Sequence, residues 1–104
     1  MCIRDRAGYD RTAAAVRDAA HEHDARLKAD GSLIGIAGKP VQVRNPDARG
    51  VQTLGASYMR SELPIAGFAV IDAADIDEAI ALVSKTPCAV AHGIVEVWPL
   101  KEAP

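Results

Sequence analysis

The chain has 104 residues, enough for one domain and too few for catalytic folds of roughly 200 residues or more. At this size folding hides only about 60–70% of the extended chain's surface, which leaves room for a partner subunit to complete the core. Apolar residues at 49% and charged residues at 25% exclude a disordered or collagen-like chain, and a net charge of −2 gives no electrostatic reason to expect nucleic acid as a partner.

No apolar run approaches the roughly 20 residues that span a bilayer, so no membrane is expected. Cys2 and Cys88 lack Cys-x-x-Cys spacing and follow no signal peptide. They read as reduced thiols of a cytoplasmic protein rather than as a disulfide scaffold.

Residues 1–8 carry the consecutive charges Arg4-Asp5-Arg6 and no apolar alternation, so they are not expected to form a buried strand. The hexapeptide Met1-Cys2-Ile3-Arg4-Asp5-Arg6 looks like the head of a fragmentary reading frame, and residues 1–8 are expected to be a non-native or disordered head. The domain proper is then residues 9–104.

From 12 to 30 the pattern is helical. Val16, Ala20, His23 and Leu27 make one stripe, and Arg17, His21, Asp24 and Lys28 make the next, toward solvent. Glu22 with Arg26 and Asp24 with Lys28 are acid-before-base pairs at i, i+4. Gly31 supplies the left-handed stop.

Leu33-Ile34-Gly35-Ile36-Ala37 reads as a short strand buried on both faces. Residues 41–44 and 51–54 flank Asn45-Pro46-Asp47-Ala48-Arg49-Gly50, whose turn chemistry predicts a hairpin. Residues 55–64 form a polar, irregular loop. The run 65–71 is apolar on both parities, so neither face of that strand expects water.

Asp75 with Glu78 is a variant capping box that opens a helix with Ile76, Ala79, Ile80 and Val83 on one stripe, and the helix must stop before Pro87. In the last strand, residues 93–100, Val95 and Val97 share one face while Ile94, Glu96 and Trp98 share the other.

The order is that of an α+β, ferredoxin-like βαββαβ domain with an antiparallel sheet and two helices, its first strand apparently missing. Two helices cover one sheet face. Because residues 65–71 are apolar on both, the second face is expected to meet the same sheet of another copy, giving a homodimer around a pocket.

The strand Gly67-Phe68, the helix start Asp75-Ile76-Asp77-Glu78-Ala79 and the closing Val95-Glu96-Val97-Trp98-Pro99 resemble the YCII-related proteins, in particular their DGPF-type branch. The likeness covers roughly residues 13–100. It implies a dimeric α+β barrel, normally opened by an apolar first strand. At the segment that names the branch this chain has Leu54-Gly55-Ala56-Ser57, which keeps only the glycine. The family's suggested acid/base histidine on the first helix corresponds to Ala20 here, with His21 one place later, so the His/Asp dyad does not transfer.

His21-Glu22-His23-Asp24 does not read as a metal site, because residues two apart on a helix point about 200° apart. His23, on the apolar stripe, reads either as a core histidine with one hydrogen-bonded nitrogen or as a general base facing the pocket. His21 reads as a solvated surface residue. The loop Tyr58-Met59-Arg60-Ser61-Glu62 is the leading site candidate: Tyr58 or Glu62 to move a proton, and Arg60 with Ser61 to hold an anion. The bland alternative is an ordinary polar loop with an Arg60–Glu62 surface pair. Cys88 reads as a small buried hydrophobe after a helix C-terminus, and His92 as lining the barrel mouth or capping a turn. Trp98 reads as an interface or ligand contact.

Two functions follow. One is cofactor-free, metal-free lyase or isomerase chemistry by proton transfer on a small aromatic or cyclic acid. The other is a non-catalytic ligand-binding or protein-interaction module, for which the resemblance suggests a sigma-factor-associated accessory role.

Overall fold

Apolar runs bounded by turn residues become strands here, and most of them join one sheet. The computed structural model describes residues 1–101. Strands β1 (Cys2–Ile3), β2 (Leu33–Ile36), β5 (Ile65–Val70) and β6 (Ile94–Val95) form a four-stranded antiparallel sheet in the order β2-β5-β1-β6. Strands β3 (Gln42–Arg44) and β4 (Gln52–Leu54) pair only with each other, as the predicted hairpin, around a 3₁₀ turn at Pro46–Ala48. With the hairpin set aside, the strand order is compatible with the ferredoxin-like layout. Each outer strand is parallel to the strand two places away, across an antiparallel neighbour.

The head of the chain corrects the expectation of a missing first strand. Cys2 and Ile3 pair with Gly67 and Ile65 of β5 on one side and with Val95 and Ile94 of β6 on the other. Ile3 is buried. The charges begin at Arg4, one residue too late to keep Ile3 out of the sheet. Residues 4–8 then leave the sheet without becoming an irregular head: Asp5 Oδ1 accepts from the Gly8 amide at 2.8 Å and caps helix α1 (Arg6–Asp10). Thr12, buried at the turn out of α1, donates its hydroxyl to the Gly8 carbonyl at 2.8 Å.

Helix α2 (Ala14–Ala29) occupies the predicted span, and Ala20 and Leu27 are its buried residues. It ends as Gly31 demands. Gly31 has φ of +102°, and the Ser32 amide reaches back to the Leu27 carbonyl at 3.0 Å, which satisfies a carbonyl the last turn would leave open. The expected ion pairs on α2 do not close within 4 Å. The one salt bridge among the described residues is Arg6–Asp10 on α1, where both side chains are solvated and the pair adds little.

Helix α3 (Ile76–Val83) starts where the capping signal puts it. Asp75 Oδ1 accepts from the Glu78 amide at 2.8 Å, and Glu78 Oε2 accepts from the Ala74 amide at 3.3 Å. Helix α3 stops before Pro87 as expected, and Pro87 also opens a fourth helix, α4 (Pro87–Val90). Proline at N1 gives up an amide that had no partner to lose, so it begins this short turn rather than only ending α3. Cys88 therefore lies in a first helical turn and not after a helix C-terminus.

Cys88 is buried as expected. It is also joined to Cys2 in a disulfide whose Cα atoms are 5.7 Å apart, contrary to the reading of two reduced thiols. A separation of 86 residues carries no pairing signal in sequence; β1 lying against α4 makes the pair. The pairing withdraws the support that unpaired cysteines lent to a reducing compartment.

The core lies between the sheet and the helices, around Ile3, Ala20, Leu27, Ala79, Cys88 and Ala91. The sheet's other face is open. Register places Leu33 opposite Val70 and Gly35 opposite Phe68, so these residues share that face, and all four are exposed. The expectation that β2 is buried on both faces is corrected as well. It is the edge strand, and Leu33 and Ile36 are exposed to 72% and 94% in the single chain. No helix among the described residues is long and apolar enough to cross a membrane.

Candidate functional site

A cleft of about 560 Å³ lies between α2 and the sheet. Its floor is apolar, with Ile34, Ile36, Ala69 and Ile71 contributed by β2 and by β5 and its continuation. Its polar edge is supplied by Arg4 and by His21, Asp24 and Lys28 of α2. His21 and Lys28 are exposed, as the solvent-facing reading of the Arg17, His21, Asp24, Lys28 stripe expects, while Arg17 and Asp24 are half-buried. Helix α2 touches β2 and α4, which brings His21, Asp24 and Lys28 to the rim of the cleft.

Helix α1 brings chemistry to this edge that spacing alone does not suggest. It is followed by a tight turn, so Tyr9 folds back along α2, and its hydroxyl lies 2.8 Å from His21 Nε2. The rings meet edge to face, with centroids 5.9 Å apart. Two guanidiniums stand over the phenol ring, Arg4 at 4.7 Å and Arg17 at 4.9 Å from its centroid. Arg4 Nη1 and Arg17 Nε are buried without a hydrogen-bond partner in the protein. Such donors are costly to leave unpaired, and they suit an incoming acceptor.

Asp24 completes the edge. Burial raises its pKa above the usual carboxylate value, against the opposing pull of His21, His23, Lys28 and Arg4. A phenol and an imidazole in hydrogen-bond contact, with a carboxyl group and guanidiniums beside them, can hold an organic anion and pass a proton to or from it.

The residues singled out from sequence lie elsewhere, and none of them lines this cleft. His23 Nε2 makes a hydrogen bond with the Leu82 carbonyl of α3, and its ring faces a shallower groove lined by Ala15, Val16, Ala19, Ser84 and Val90. Tyr58, Arg60, Ser61 and Glu62 lie on the exposed loop between β4 and β5. There the Arg44 guanidinium stands 5.6 Å from the Tyr58 ring centroid, and Arg60 and Glu62 do not form an ion pair. His92 is exposed in the turn between α4 and β6 with φ of +62°, a left-handed conformation that histidine tolerates better than most side chains. Trp98 is 67% exposed beyond β6.

Tyr9, Arg17, His21 and Asp24 are the residues that sequence reasoning passed over. A signal existed for three of them. Arg17, His21 and Asp24 repeat at helical spacing and are all reactive types. That stripe resembles an ordinary solvated face until the helix is docked. Tyr9 had no signal, since its approach to His21 depends on the turn after α1.

Among known proteins, the sequence model of the YCII-related domain matches residues 1–104. No curated protein and no solved structure matches the chain.

Proposed function

The chain belongs to the YCII-related domain family, and on that footing we propose that it binds a small organic acid, aromatic or cyclic in its apolar part, in the cleft between α2 and the sheet. There His21 and Tyr9 exchange a proton with the bound molecule. The observation that carries this reading is the 2.8 Å contact between the Tyr9 hydroxyl and His21 Nε2 at the edge of an apolar-floored cleft. The guanidinium of Arg4 neutralises the ligand's charge, and the apolar floor takes its carbon skeleton. The chemistry is that of a lyase or isomerase in which His21 accepts a proton and Tyr9 returns one.

Assembly belongs to the same reading. The open sheet face with Leu33, Phe68 and Val70 is closed by a second copy, as in a dimeric α+β barrel. The DGPF-type branch is supported by the glycine-aromatic pair Gly67-Phe68 and by the Asp75-Ile76-Asp77-Glu78-Ala79 helix start. A non-catalytic binding module is the second reading. It is favoured by the exposure of Tyr58, Arg60, Ser61 and Glu62 on a surface loop.

The test is thermal stabilisation by a panel of aromatic and alicyclic carboxylates, followed by turnover and by proton exchange of each binder with heavy water. Binding and exchange that are lost in H21A and weakened in Y9F, with binding lost in R4A, support the enzyme reading. Binding with no exchange in any variant supports the module. No stabilisation by any carboxylate removes the cleft from consideration.

A further inference from the structure

The β3–β4 hairpin forms a sheet of its own and is not bonded to the main one. Its register sorts its residues into two faces. Val43 lies opposite Thr53, so Val41, Val43, Val51 and Thr53 share one face, while Gln42, Arg44, Gln52 and Leu54 share the other. Such alternation belongs to a ribbon with one face built for burial. In the single chain that face is bare: Val41, Val43 and Val51 are 60%, 66% and 68% exposed. A two-stranded ribbon in water is marginal at best unless its apolar face is covered.

Shape agrees with an arm that stands away from the body. The radius of gyration is 16.1 Å, against about 13 Å for a compact chain of this length, and the longest dimension is 53 Å. The chain also carries a second bare apolar surface, the open sheet face. Leu33, Phe68 and Val70 lie on it by register. Ile94 and Trp98 are also exposed, at and just beyond β6.

We propose that the hairpin is a clasp, its valine face lying on the open sheet face of a second copy of this chain, with the exchange made in both directions about a two-fold axis. The exposed apolar area fits this occupant. The three valines with Leu33, Phe68, Val70, Ile94 and Trp98 are each 52% to 72% exposed. Together they present on the order of 1,000 Å² per copy, against about 800 Å² per partner for a standard stable interface. Neither surface reaches that size alone. A two-fold axis lets one contact be made twice and closes the assembly without leaving an edge to propagate. The proposal rests on the dimer reading above and adds to it which element seals the pair.

The experiment compares wild type, V43E on the arm and F68E on the sheet face by sedimentation equilibrium across a micromolar to millimolar range. Photocrosslinking from benzoyl-phenylalanine at position 43 follows, in a mixture of ¹⁵N-labelled and unlabelled protein. Val43 is exposed in the single chain, so V43E should leave the circular dichroism unchanged, and V43T serves as the mild control. The expected result is a wild-type dimer whose Kd rises about tenfold or more in both glutamate variants. The crosslink should join labelled to unlabelled chains, from residue 43 to peptides of β2 or β5. A dimer that survives V43E while F68E dissociates it overturns the clasp and leaves the dimer intact. A crosslink confined to single chains also overturns it, since the arm would then fold onto its own sheet. A wild-type monomer throughout overturns the clasp and the dimer together.

Discussion

Replacing Gly67 with alanine is predicted to destabilise the fold more than its single added methyl suggests. Gly67 is buried in β5 opposite Ile36 of the edge strand. A Cβ built there would fall against the Gly35 carbonyl oxygen and lie 3.4 Å from the Gly35 carbonyl carbon and 3.6 Å from Ile36 Cα. All three are backbone atoms, so no side chain can swing aside, and relief requires β2 and β5 to separate. Overpacking of this kind costs about 1–3 kcal/mol, partly offset by the roughly 0.4–1 kcal/mol that glycine-to-alanine changes gain through the unfolded chain. At about 4–8 °C per kcal/mol for a domain of this size, a net loss of about 1–2 kcal/mol lowers Tm by several degrees to about 15 °C. Gly38 provides the control: it lies outside the sheet, and a Cβ there meets nothing within 4 Å. G38A should therefore melt at or slightly above wild type. Calorimetry and urea titration of the two variants decide the matter. If G67A melts with G38A, the β2–β5 packing at this point is wrong, and the placement of the cleft floor is wrong with it.

Three other changes follow from local geometry. D75A removes the acceptor of the Glu78 amide and should cost about 1 kcal/mol, read by urea denaturation, whereas D75N should cost only a few tenths. T12V removes the buried hydroxyl that serves the Gly8 carbonyl. A loss of about 1–3 kcal/mol is expected, because the carbonyl is left without that donor. Asp24 is held above its usual pKa chiefly by burial, so the folded state binds its proton more tightly than the unfolded state does. Its contribution to stability therefore falls as pH rises from the ordinary carboxylate value through the raised one. D24N should gain stability over wild type near pH 7, and the gain should vanish below about pH 4. Urea midpoints that differ equally at both pH values would contradict this.

Much of the fold was legible in the residues because local chemistry decides it. Asp75 and Glu78 announce a helix start wherever the helix later docks, Gly31 ends α2 through its own backbone freedom, and the valines of 41–54 alternate as a hairpin must. The apolar run 65–71 likewise marked a strand, found as β5. None of these features needs a distant partner to be recognised.

Tertiary placement decided the rest. Ile3 joined the interior of a sheet because Ile65 and Ile94 border the same slot, and Cys2 met Cys88 because β1 runs beside α4. The stripe of His21, Asp24 and Lys28 carries the same letters whether it faces water alone or rims a cleft. Only the docking of α2 and the return of Tyr9 separate the two cases. Periodicity reports which side of a helix is different. It does not report what stands opposite, and that neighbour sets the dielectric, the hydrogen bonds and hence the chemistry.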